Sequence, residues 1–526
     1  MEPSTTSIPG DLDLEPGSSP DSGAGPGRFL EWVGLVALMA GFSAIFFAFY
    51  PPFPGIEDEV GFINQTLIWS KGSLNAEGAG YSDLADFFPL DGKHVPARHP
   101  GRSLVALPFF YFGGVQGAFA SGLVLHLIAT LIAAFVFVRL GRSPLWATLL
   151  LVHPTLALYS RTIMADSTAG TGLLLALLAL TSRAPWAGFA AGASIGLAAA
   201  MRYHSALAVP FVALAFLLPK GRPHAWRDAI LCVIGAGASG SLIALYNLTV
   251  YGTLTEPFTG KRGFFSFEFL VPHLIYYGSA LMVVWPCMLI APLVDKSPVR
   301  WAVRGLCALY LGFLTLYYFH DKGANWLETA IVGQRLLQVA LPVWIVSYGG
   351  MLDDWVAAPI RRLLSPVAWK VLVAVACVCS LMPIEYAFSK HQQHLQTLSD
   401  ARDAVVANIP EGSLILFEGG FTKLVGVPTE SPIYRIRPLT YELKPIDPPG
   451  QLEADLAKES RPWFVALLGK GPKGASSDFV RDFLKETKVE PIETYSPVLS
   501  LYVHRTQVPA PTPALAPTPA SAGSSR

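Results

Sequence analysis

Residues 51–69 read PPFPGIEDEVGFINQTLIW and place three consecutive acids, Glu57, Asp58 and Glu59, where an apolar run at 30–49 ends. The segment predicts a short helix that begins at these acids, because Pro and Gly interrupt the chain just before them. One acid at a helix start caps free backbone N–H groups, and Glu57 or Asp58 fits that role. Three acids exceed what a cap needs. At a membrane surface they are also candidates for a general base or for ligands of a divalent cation.

The composition of the chain indicates a membrane protein. Of the 526 residues, 52% are hydrophobic and only 14% are charged, and the mean hydropathy is +0.44. An average soluble domain is roughly 25% charged, so one water-soluble core cannot hide this much apolar surface. The formal net charge is zero, so nothing in the charge balance indicates a nucleic-acid partner.

Apolar segments repeat along the chain and predict an α-helical polytopic membrane protein with about 11 transmembrane helices. The segments lie at 30–49, 118–138, 145–159, 167–181, 186–201, 206–218, 229–250, 272–293, 301–319, 336–350 and 367–384. Lys and Arg are more frequent in the loops that face the cytoplasm when the N-terminus is placed inside. An odd number of helices then places the C-terminal region outside, which is the arrangement expected in a bacterial inner membrane.

Four regions follow from the changes in composition. Residues 1–28 and the Pro/Ala-rich tail 508–526 predict disorder, and 29–384 predicts the transmembrane domain with a long first outer loop at 51–117. Residues 385–507 alternate helical and strand patterns, with strands expected at 413–420, 463–469 and 497–505. We expect this last region to be a small extracytoplasmic α/β domain.

The stretch LYSRTIMADSTAGTG, residues 158–172, is a brief turn between two apolar runs. Its Arg161 and Asp166 are five residues apart, so a structural salt bridge is one interpretation. The other is that Asp166 is a second acid facing the same outer cavity as Asp58 or Glu59.

Basic residues on the outer side oppose the usual charge bias of membrane proteins. They are Arg202, Lys261, Arg262, Lys322 and Arg335, to which the sequence adds Lys93, Arg98 and Arg102 in an expected interfacial helix at 92–114. Each alone reads as an anchor at the membrane interface. The first five together predict a phosphate-binding cavity, because a guanidinium group donates two parallel hydrogen bonds to an anion. His94 and His99 lack partners at the spacing of a metal site.

Four strings of the chain resemble the GT-C superfamily of integral-membrane glycosyltransferases. They are PGIEDEVGFINQTLIWSKGSL, HPGRSLVALPFFYFGG, SRTIMADSTAGTGLLLALLAL and GQRLLQVALPVW, spread over residues 30–350. The pattern is most similar to the branch that holds protein O-mannosyltransferases and lipid A aminoarabinose transferases. It departs from that pattern at His99-Pro100-Gly101, where one proline stands instead of two.

The resemblance implies transfer of a sugar, with inversion, from a polyprenyl-phosphate donor to a lipid, glycan or protein acceptor at the outer face of the bilayer. Asp58 then takes the role of the first-loop acid, with Glu59 beside it and Asp166 as a second acid. Arg161, Arg202, Lys322 and Arg335 become candidates for binding the donor phosphate. Members of the superfamily differ in metal use, so no cofactor is required and a divalent cation stays open.

Two other functions are compatible with the same residues. A transporter or flippase of a lipid-linked or anionic solute would also line a cavity with charge, although no inverted repeat is evident. A non-catalytic envelope assembly protein would keep the fold without the chemistry. The chain has no nucleotide-binding motif, so an enzyme acting outside the cell needs a donor that is already activated and carried by lipid.

Overall fold

A computed structural model describes residues 26–81, 84–218, 222, 224–254, 265–317, 326–418, 421–429, 433–441, 444–445, 450–468, 478–487, 490–496 and 499–503. Helices dominate the first 408 residues. They are α1 (Pro26–Ala48), α2 (Glu57–Ser70), α3 (Pro100–Arg139), α4 (Thr148–Val152), α5 (Pro154–Tyr159), α6 (Ala165–Leu180), α7 (Ala187–Met201), α8 (Val209–Leu217), α9 (Ala225–Tyr251), α10 (Leu270–Val284), α11 (Ala291–Val294), α12 (Arg300–Thr315), α13 (Trp326–Val332), α14 (Leu341–Leu352), α15 (Ala358–Leu363) and α16 (Pro366–Asn408).

The described residues contain five helices that are long and apolar enough to cross a membrane, or six if one bent pair is a single span. The five spans are Arg28–Ala48, Pro100–Arg139, Ala225–Tyr251, Phe267–Val284 and Val371–Asn408. Three shorter apolar helices, Ala165–Leu180, Ala187–Met201 and Tyr203–Leu217, coincide with segments that the sequence counts separately. The predicted number of eleven is therefore not confirmed, because several apolar runs form helices too short for a full span.

Helix α3 is continuous from Pro100 through the span expected at 118–138, and it is bent. Residues 93–96 form a strand, so the expected interfacial helix at 92–114 begins only at Pro100. Gly113 and Gly114 leave the helical conformation, and Gly114 has φ +58°, a value that favours glycine. The first part of α3 is therefore a separate arm before the membrane span.

Small residues bring the helices of the bundle close together. A Cβ atom on Gly192 of α7 would overlap the backbone of Cys232 on α9, so the two helices touch without side chains between them. Every residue of α14 from Leu341 to Met351 is buried. The main apolar core therefore surrounds α14 and includes side chains from α2, α3, α6 and α7.

Beyond α16 the chain forms a five-stranded sheet. The chain also contains the hairpin β1 (Phe87–Leu90) and β2 (Lys93–Pro96), then β3 (Leu414–Glu418), α17 (Thr422–Val425), β4 (Arg435–Pro438), β5 (Thr440–Tyr441), β6 (Lys444–Pro445), α18 (Gln451–Leu456), β7 (Trp463–Leu468), α19 (Asp478–Glu486), β8 (Glu490–Ser496) and β9 (Leu499–Val503). The sheet order is β4-β3-β7-β9-β8, parallel from β4 to β7 and antiparallel beyond.

The sheet has an apolar core on each face. One core joins Ile415 and Phe417 of β3 to Leu395 and Val405 of α16 and to Phe53 from the loop before α2. The other packs the opposite side of β3 and β7 against α18 and α19. Helix α16 therefore connects the membrane bundle to the sheet, and β3, β7 and β9 lie where the sequence predicts strands.

Candidate active site

The first turn of α2 carries the three acids, and Asp58 faces two arginines. Its Oδ1 lies 2.8 Å from Nη2 of Arg98, and its Oδ2 lies 3.5 Å from Nη2 of Arg335. Arg98 also pairs with Asp86 through its Nε. Arg335 belongs to the short 3₁₀ helix Gly333–Val339, so the site joins two segments far apart in the chain.

These charges decide the ionisation of Asp58. Burial alone would raise the pKa of its carboxyl, but Arg98, Arg335 and Arg202 outweigh burial and lower it to about 2. Burial alone would likewise lower the pKa of Arg98, and the carboxylates of Asp86 and Asp58 raise it above its ordinary value. The carboxylate is therefore ionised throughout the physiological pH range.

Asp166 and Arg202 form the second ion pair of the site. Nη2 of Arg202 lies 2.6 Å from Oδ2 of Asp166, whose side chain is fully buried at the start of α6. Among the described residues, Oδ1 of Asp166 and Nε of Arg202 are both buried and find no hydrogen-bond partner. A buried pair with one vacant acceptor and one vacant donor is suited to a polar ligand.

We call the three aspartates and three arginines the Asp58 cluster: Asp58, Asp86, Asp166, Arg98, Arg202 and Arg335. Arg202 is close enough to act on the charge of Asp58, which places the two ion-pair groups in one electrostatic environment. The structure therefore brings together Asp58, Asp166, Arg202 and Arg335, four of the residues singled out from the sequence.

Glu59 occupies a different environment from that of Asp58. Its Oε2 accepts hydrogen bonds from the backbone N–H groups of Gly55 at 2.8 Å and Ile56 at 3.0 Å. Its Oε1 accepts one from the N–H of Ile163 at 2.8 Å, and the side chain is only 1% exposed. Burial raises the pKa of this carboxyl to about 7 against the opposing effect of these three donors.

Glu59 is thus the capping residue of α2, which corrects the expectation that Glu57 or Asp58 caps it. It stands at the third helical position, where a glutamate reaches back to the residue before the helix. Glu57 instead accepts a hydrogen bond from the hydroxyl of Thr422, at 2.6 Å. Helix α17 of the sheet region therefore contacts the turn that carries Asp58.

Arg161 lies apart from the ion pairs of the Asp58 cluster, and its expected pairing with Asp166 is wrong. Nη1 donates to the carbonyl of Phe388 at 3.1 Å and lies 2.8 Å from Nδ1 of His391. Nη2 donates to Oε1 of Gln392 at 2.6 Å. The guanidinium joins the turn before α6 to α16, so its contacts are those of a structural residue.

Two further sequence expectations have a different outcome. Arg102, expected to extend towards the interface, is fully buried and donates to Ser121 Oγ at 2.8 Å and to the carbonyl of Met164 at 3.1 Å. It fastens α3 to the turn that precedes α6. Lys322, Lys261 and Arg262 lie outside the described residues.

The described residues contain no group of three or more His, Cys, Asp or Glu side chains that could hold a metal ion. His94 pairs with Glu77 at 2.6 Å, and His99 packs against the ring of Tyr203. Two guanidinium groups already neutralise the Asp58 carboxylate, an environment that disfavours a second cation.

Sequence reasoning missed Asp86 and gave Arg98 only an anchoring role. Both lie in the polar loop between α2 and α3, where no apolar periodicity fixes their position. The available signal was composition: Arg98 is a basic residue in an outer loop that also holds the acid turn. Its pairing with Asp58 depends on the hairpin β1–β2, which the sequence does not specify.

An apolar groove of about 310 Å³ lies between α7 and α9. Glycine and alanine make up half of its lining, including Gly196, Ala199 and Gly240, and Tyr203 and Asn247 stand at one end. The Tyr203 hydroxyl donates to Oδ1 of Asn247 at 2.9 Å. Since Tyr203 follows Arg202 directly, this end of the groove adjoins the Asp58 cluster.

Comparison with known proteins gives a match in structure but not in sequence. No protein-family model and no curated protein matches the chain. The crystal structure of ArnT from Cupriavidus metallidurans in the apo state is similar, with a TM-score of 0.55 at 14% identity over 92% of this chain and 100% of that chain. The structure of the same protein bound to undecaprenyl phosphate matches with a TM-score of 0.50 at 12% identity, over 91% and 99%.

Identity this low informs about the fold alone. The match extends over nearly the whole of both chains. The chain therefore shares the fold of ArnT, a GT-C-like fold, and its long apolar helices are those of an integral membrane protein.

Proposed function

We propose that the chain is a membrane glycosyltransferase that moves a sugar from a polyprenyl-phosphate donor to an envelope or protein acceptor. The observation that carries the proposal is the Asp58 carboxylate, which is held ionised between Arg98 and Arg335 in a chain of GT-C fold. A structure of the similar protein ArnT is bound to undecaprenyl phosphate, a polyprenyl phosphate of the kind that the proposed reaction releases from its donor.

The donor phosphate would bind at the arginines of the Asp58 cluster. Arg335 holds Asp58 more loosely than Arg98 does, at 3.5 Å against 2.8 Å, so an incoming phosphate can compete for it. The vacant Nε of Arg202 offers a second donor to the phosphate, and the vacant Oδ1 of Asp166 can accept a hydrogen bond from a sugar hydroxyl. Lys322 remains a candidate for the same role.

The reaction that fits these groups is a single displacement at the anomeric carbon. An acceptor oxygen or nitrogen forms the new bond to that carbon while the bond from the carbon to the phosphate oxygen breaks. The polyprenyl phosphate leaves with the electron pair, and arginines stabilise the charge that develops on it. Asp58 receives the proton of the acceptor hydroxyl or amine as general base.

The low pKa of Asp58 implies that the donor binds before Asp58 accepts the proton. A carboxylate with a pKa of about 2 is a weak base as long as both arginines hold it. A donor phosphate that takes over Arg335 adds negative charge and removes one of these contacts, and both changes raise the pKa of Asp58. The carboxylate therefore becomes a competent base after the donor has bound.

The groove between α7 and α9 is suited to the apolar tail of the donor. It is lined mainly by apolar residues and ends at Tyr203, the residue after Arg202, whose guanidinium would bind the phosphate. A chain lying in the groove would therefore have its charged end at the Asp58 cluster. We assign the cluster to the outer face of a bacterial inner membrane, with the N-terminus inside and the sheet region outside.

The function is tested by sugar transfer in proteoliposomes that contain the purified full-length chain and a polyprenyl-phosphate sugar. Transfer by the wild type and its loss in Asp58→Asn are expected, while Asp403→Asn on the exposed side of α16 serves as the matched control. Movement of the lipid donor across the bilayer without any product would instead favour a flippase. No activity of either kind would favour a non-catalytic assembly protein.

The groove assignment has its own matched pair on α9. A Cβ on Gly240 or Gly237 meets no heavy atom within 4 Å, but only Gly240 lines the groove. Gly240→Leu is expected to raise the KM for long-chain donors, whereas Gly237→Leu leaves it unchanged. Equal KM values for long-chain donors in the two variants would show that the groove does not bind the donor tail.

A further inference from the structure

Asp86 is a carboxylate of the Asp58 cluster that the proposed reaction does not use. Its side chain pairs with Nε of Arg98, while Nη2 of the same guanidinium pairs with Asp58. Arg98 is thus held between two carboxylates that come from different segments. With Asp86 in place, only part of the Arg98 charge acts on Asp58.

The backbone at Asp86 is fixed in a conformation that is uncommon for this residue type. Its φ is +65°, in the left-handed region, and its carbonyl accepts a hydrogen bond from the N–H of Ala97 at 3.0 Å. The preceding carbonyl, that of Ala85, accepts a hydrogen bond from Nδ2 of Asn64 at 3.1 Å. Such conformations persist only where the surroundings hold them.

Gly426 of the sheet region also helps to fix the backbone conformation at Asp86. The fully buried Asn64 donates its second N–H to the carbonyl of Gly426, at 2.8 Å. A Cβ on Gly426 would lie 2.7 Å from Val60 Cγ1 and 3.0 Å from Ala85 Cβ, so this segment packs directly on α2 and on the loop. One amide side chain therefore joins α2, the Asp86 loop and the sheet region.

Gly61 gives the Asp86–Arg98 pair the room that it needs against α2. A Cβ at this position would lie 2.9 Å from Arg98 Cγ and would overlap the carboxylate of Asp86. Gly61 lies inside α2, where alanine is the better helix former. Helix stability alone would therefore favour alanine, and the space for the ion pair explains the glycine.

We propose that Asp86 is a positioning residue that shares Arg98 with Asp58 and is held by Asn64, Gly61 and the sheet-region residue Gly426. The proposal rests on the proposed function, in which Asp58 is the base. Three carboxylates balance three guanidinium groups in the Asp58 cluster. Removal of Asp86 leaves one positive charge in excess and lets Arg98 pair with Asp58 alone.

The consequence for turnover is a split between kcat and KM. In Asp86→Asn the excess positive charge attracts the anionic donor, so its KM is expected to fall. Asp58 becomes a weaker base, so kcat is expected to fall about ten-fold. A loss of folded protein would not lower KM, and a residue without a positioning role would leave kcat unchanged.

Gly61→Ala tests the same geometry without changing any charge. We expect it to lower kcat in the folded protein, while Gly237→Ala, at an open position of α9, leaves kcat unchanged. Thermal unfolding checks that both variants are folded. Asn64→Leu, which removes the donor to Ala85 and Gly426 without adding a charge, provides a second geometric variant if Gly61→Ala does not fold.

The transfer assay separates the possible outcomes. An active wild type with unchanged kcat in Asp86→Asn and in a folded geometric variant would overturn the positioning role and leave the proposed function standing. An increase in donor KM at unchanged kcat in Asp86→Asn would also overturn it. A wild type that transfers no sugar would overturn both proposals.

Discussion

The two sides of the first turn of α2 differ in what holds their carboxylates. Asp58 contacts the side chains of Arg98 and Arg335, whereas Glu59 contacts three backbone N–H groups. Successive residues of a helix point about 100° apart, so neighbours in the sequence enter different surroundings. Side-chain partners can exchange for a ligand, while backbone partners belong to the fold.

The arginines repeat this difference. Arg161 reaches the backbone carbonyl of Phe388 and the side chains of His391 and Gln392, all on α16. Arg335 and Arg202 instead pair with carboxylates of the Asp58 cluster. The partners of a charged side chain thus separate residues that hold the bundle together from those that are available for chemistry.

Asp58→Asn should have the largest effect on activity. Loss of a general base typically lowers the rate by about 10²–10⁴-fold, and sugar transfer at saturating donor measures it. The melting temperature in detergent should change much less. Sugar transfer at the wild-type rate in this variant would contradict the role of Asp58 as the general base.

Glu59→Ala should have the largest effect on stability. It removes the acceptor of one buried N–H group, that of Ile163, and of two partly buried ones, those of Gly55 and Ile56, so we expect a loss of about 3 kcal/mol in the free energy of unfolding. Thermal unfolding measures it, and Glu57→Ala is the matched control because Glu57 is exposed in the same turn. Equal melting temperatures of the two variants would show that Glu59 contributes no more to stability than Glu57 does.

The pH dependence of stability should sharpen the role of Glu59. Its pKa is raised to about 7 in the folded chain, so folding favours the protonated carboxyl. Its contribution to stability therefore falls as the pH rises from the ordinary value of 4.5 through about 7, at up to about 1.4 kcal/mol per pH unit. Melting temperatures of the wild type and Glu59→Gln, compared between pH 5 and 8, should differ in slope. Parallel curves would contradict the raised pKa.

A pair of arginine substitutions should have the smallest effect and separate the two arginine environments. Lysine keeps the charge but loses the fork that binds phosphate, so Arg335→Lys should raise the donor KM about ten-fold. Arg161→Lys should lower the melting temperature and leave the donor KM unchanged. The reverse pattern would assign the phosphate to Arg161.

Much of the fold was predictable because long apolar runs and an alternating pattern report burial directly. The start of α2 and the strands β3, β7 and β9 lie where the sequence predicts them. The span count was not predictable in this way, because an apolar run does not reveal whether it crosses the membrane or packs as a short helix. The bend at Gly113 and Gly114 lies at the boundary between the interfacial helix expected at 92–114 and the span expected at 118–138.

The sequence identified several residues of the candidate site but not the ion pairs that they form. Asp58, Asp166, Arg202 and Arg335 come together, but Asp166 pairs with Arg202 and not with the nearby Arg161. Spacing along the chain reports only local proximity, and this pair depends on how α6 and α7 pack. The capping role of Glu59 was available from its third helical position, a signal that the excess of acids obscured.

The charge balance of the Asp58 cluster bears on which lipids could occupy it. Three positive and three negative groups cancel, so the cluster as a whole carries no net charge. The field of the cluster therefore fades within a short distance, so anionic phospholipids passing in the bilayer gain little from it. Only a ligand that fits closely enough to displace a carboxylate from an arginine gains binding energy, so selection among anionic lipids rests on shape and contact rather than on attraction from afar.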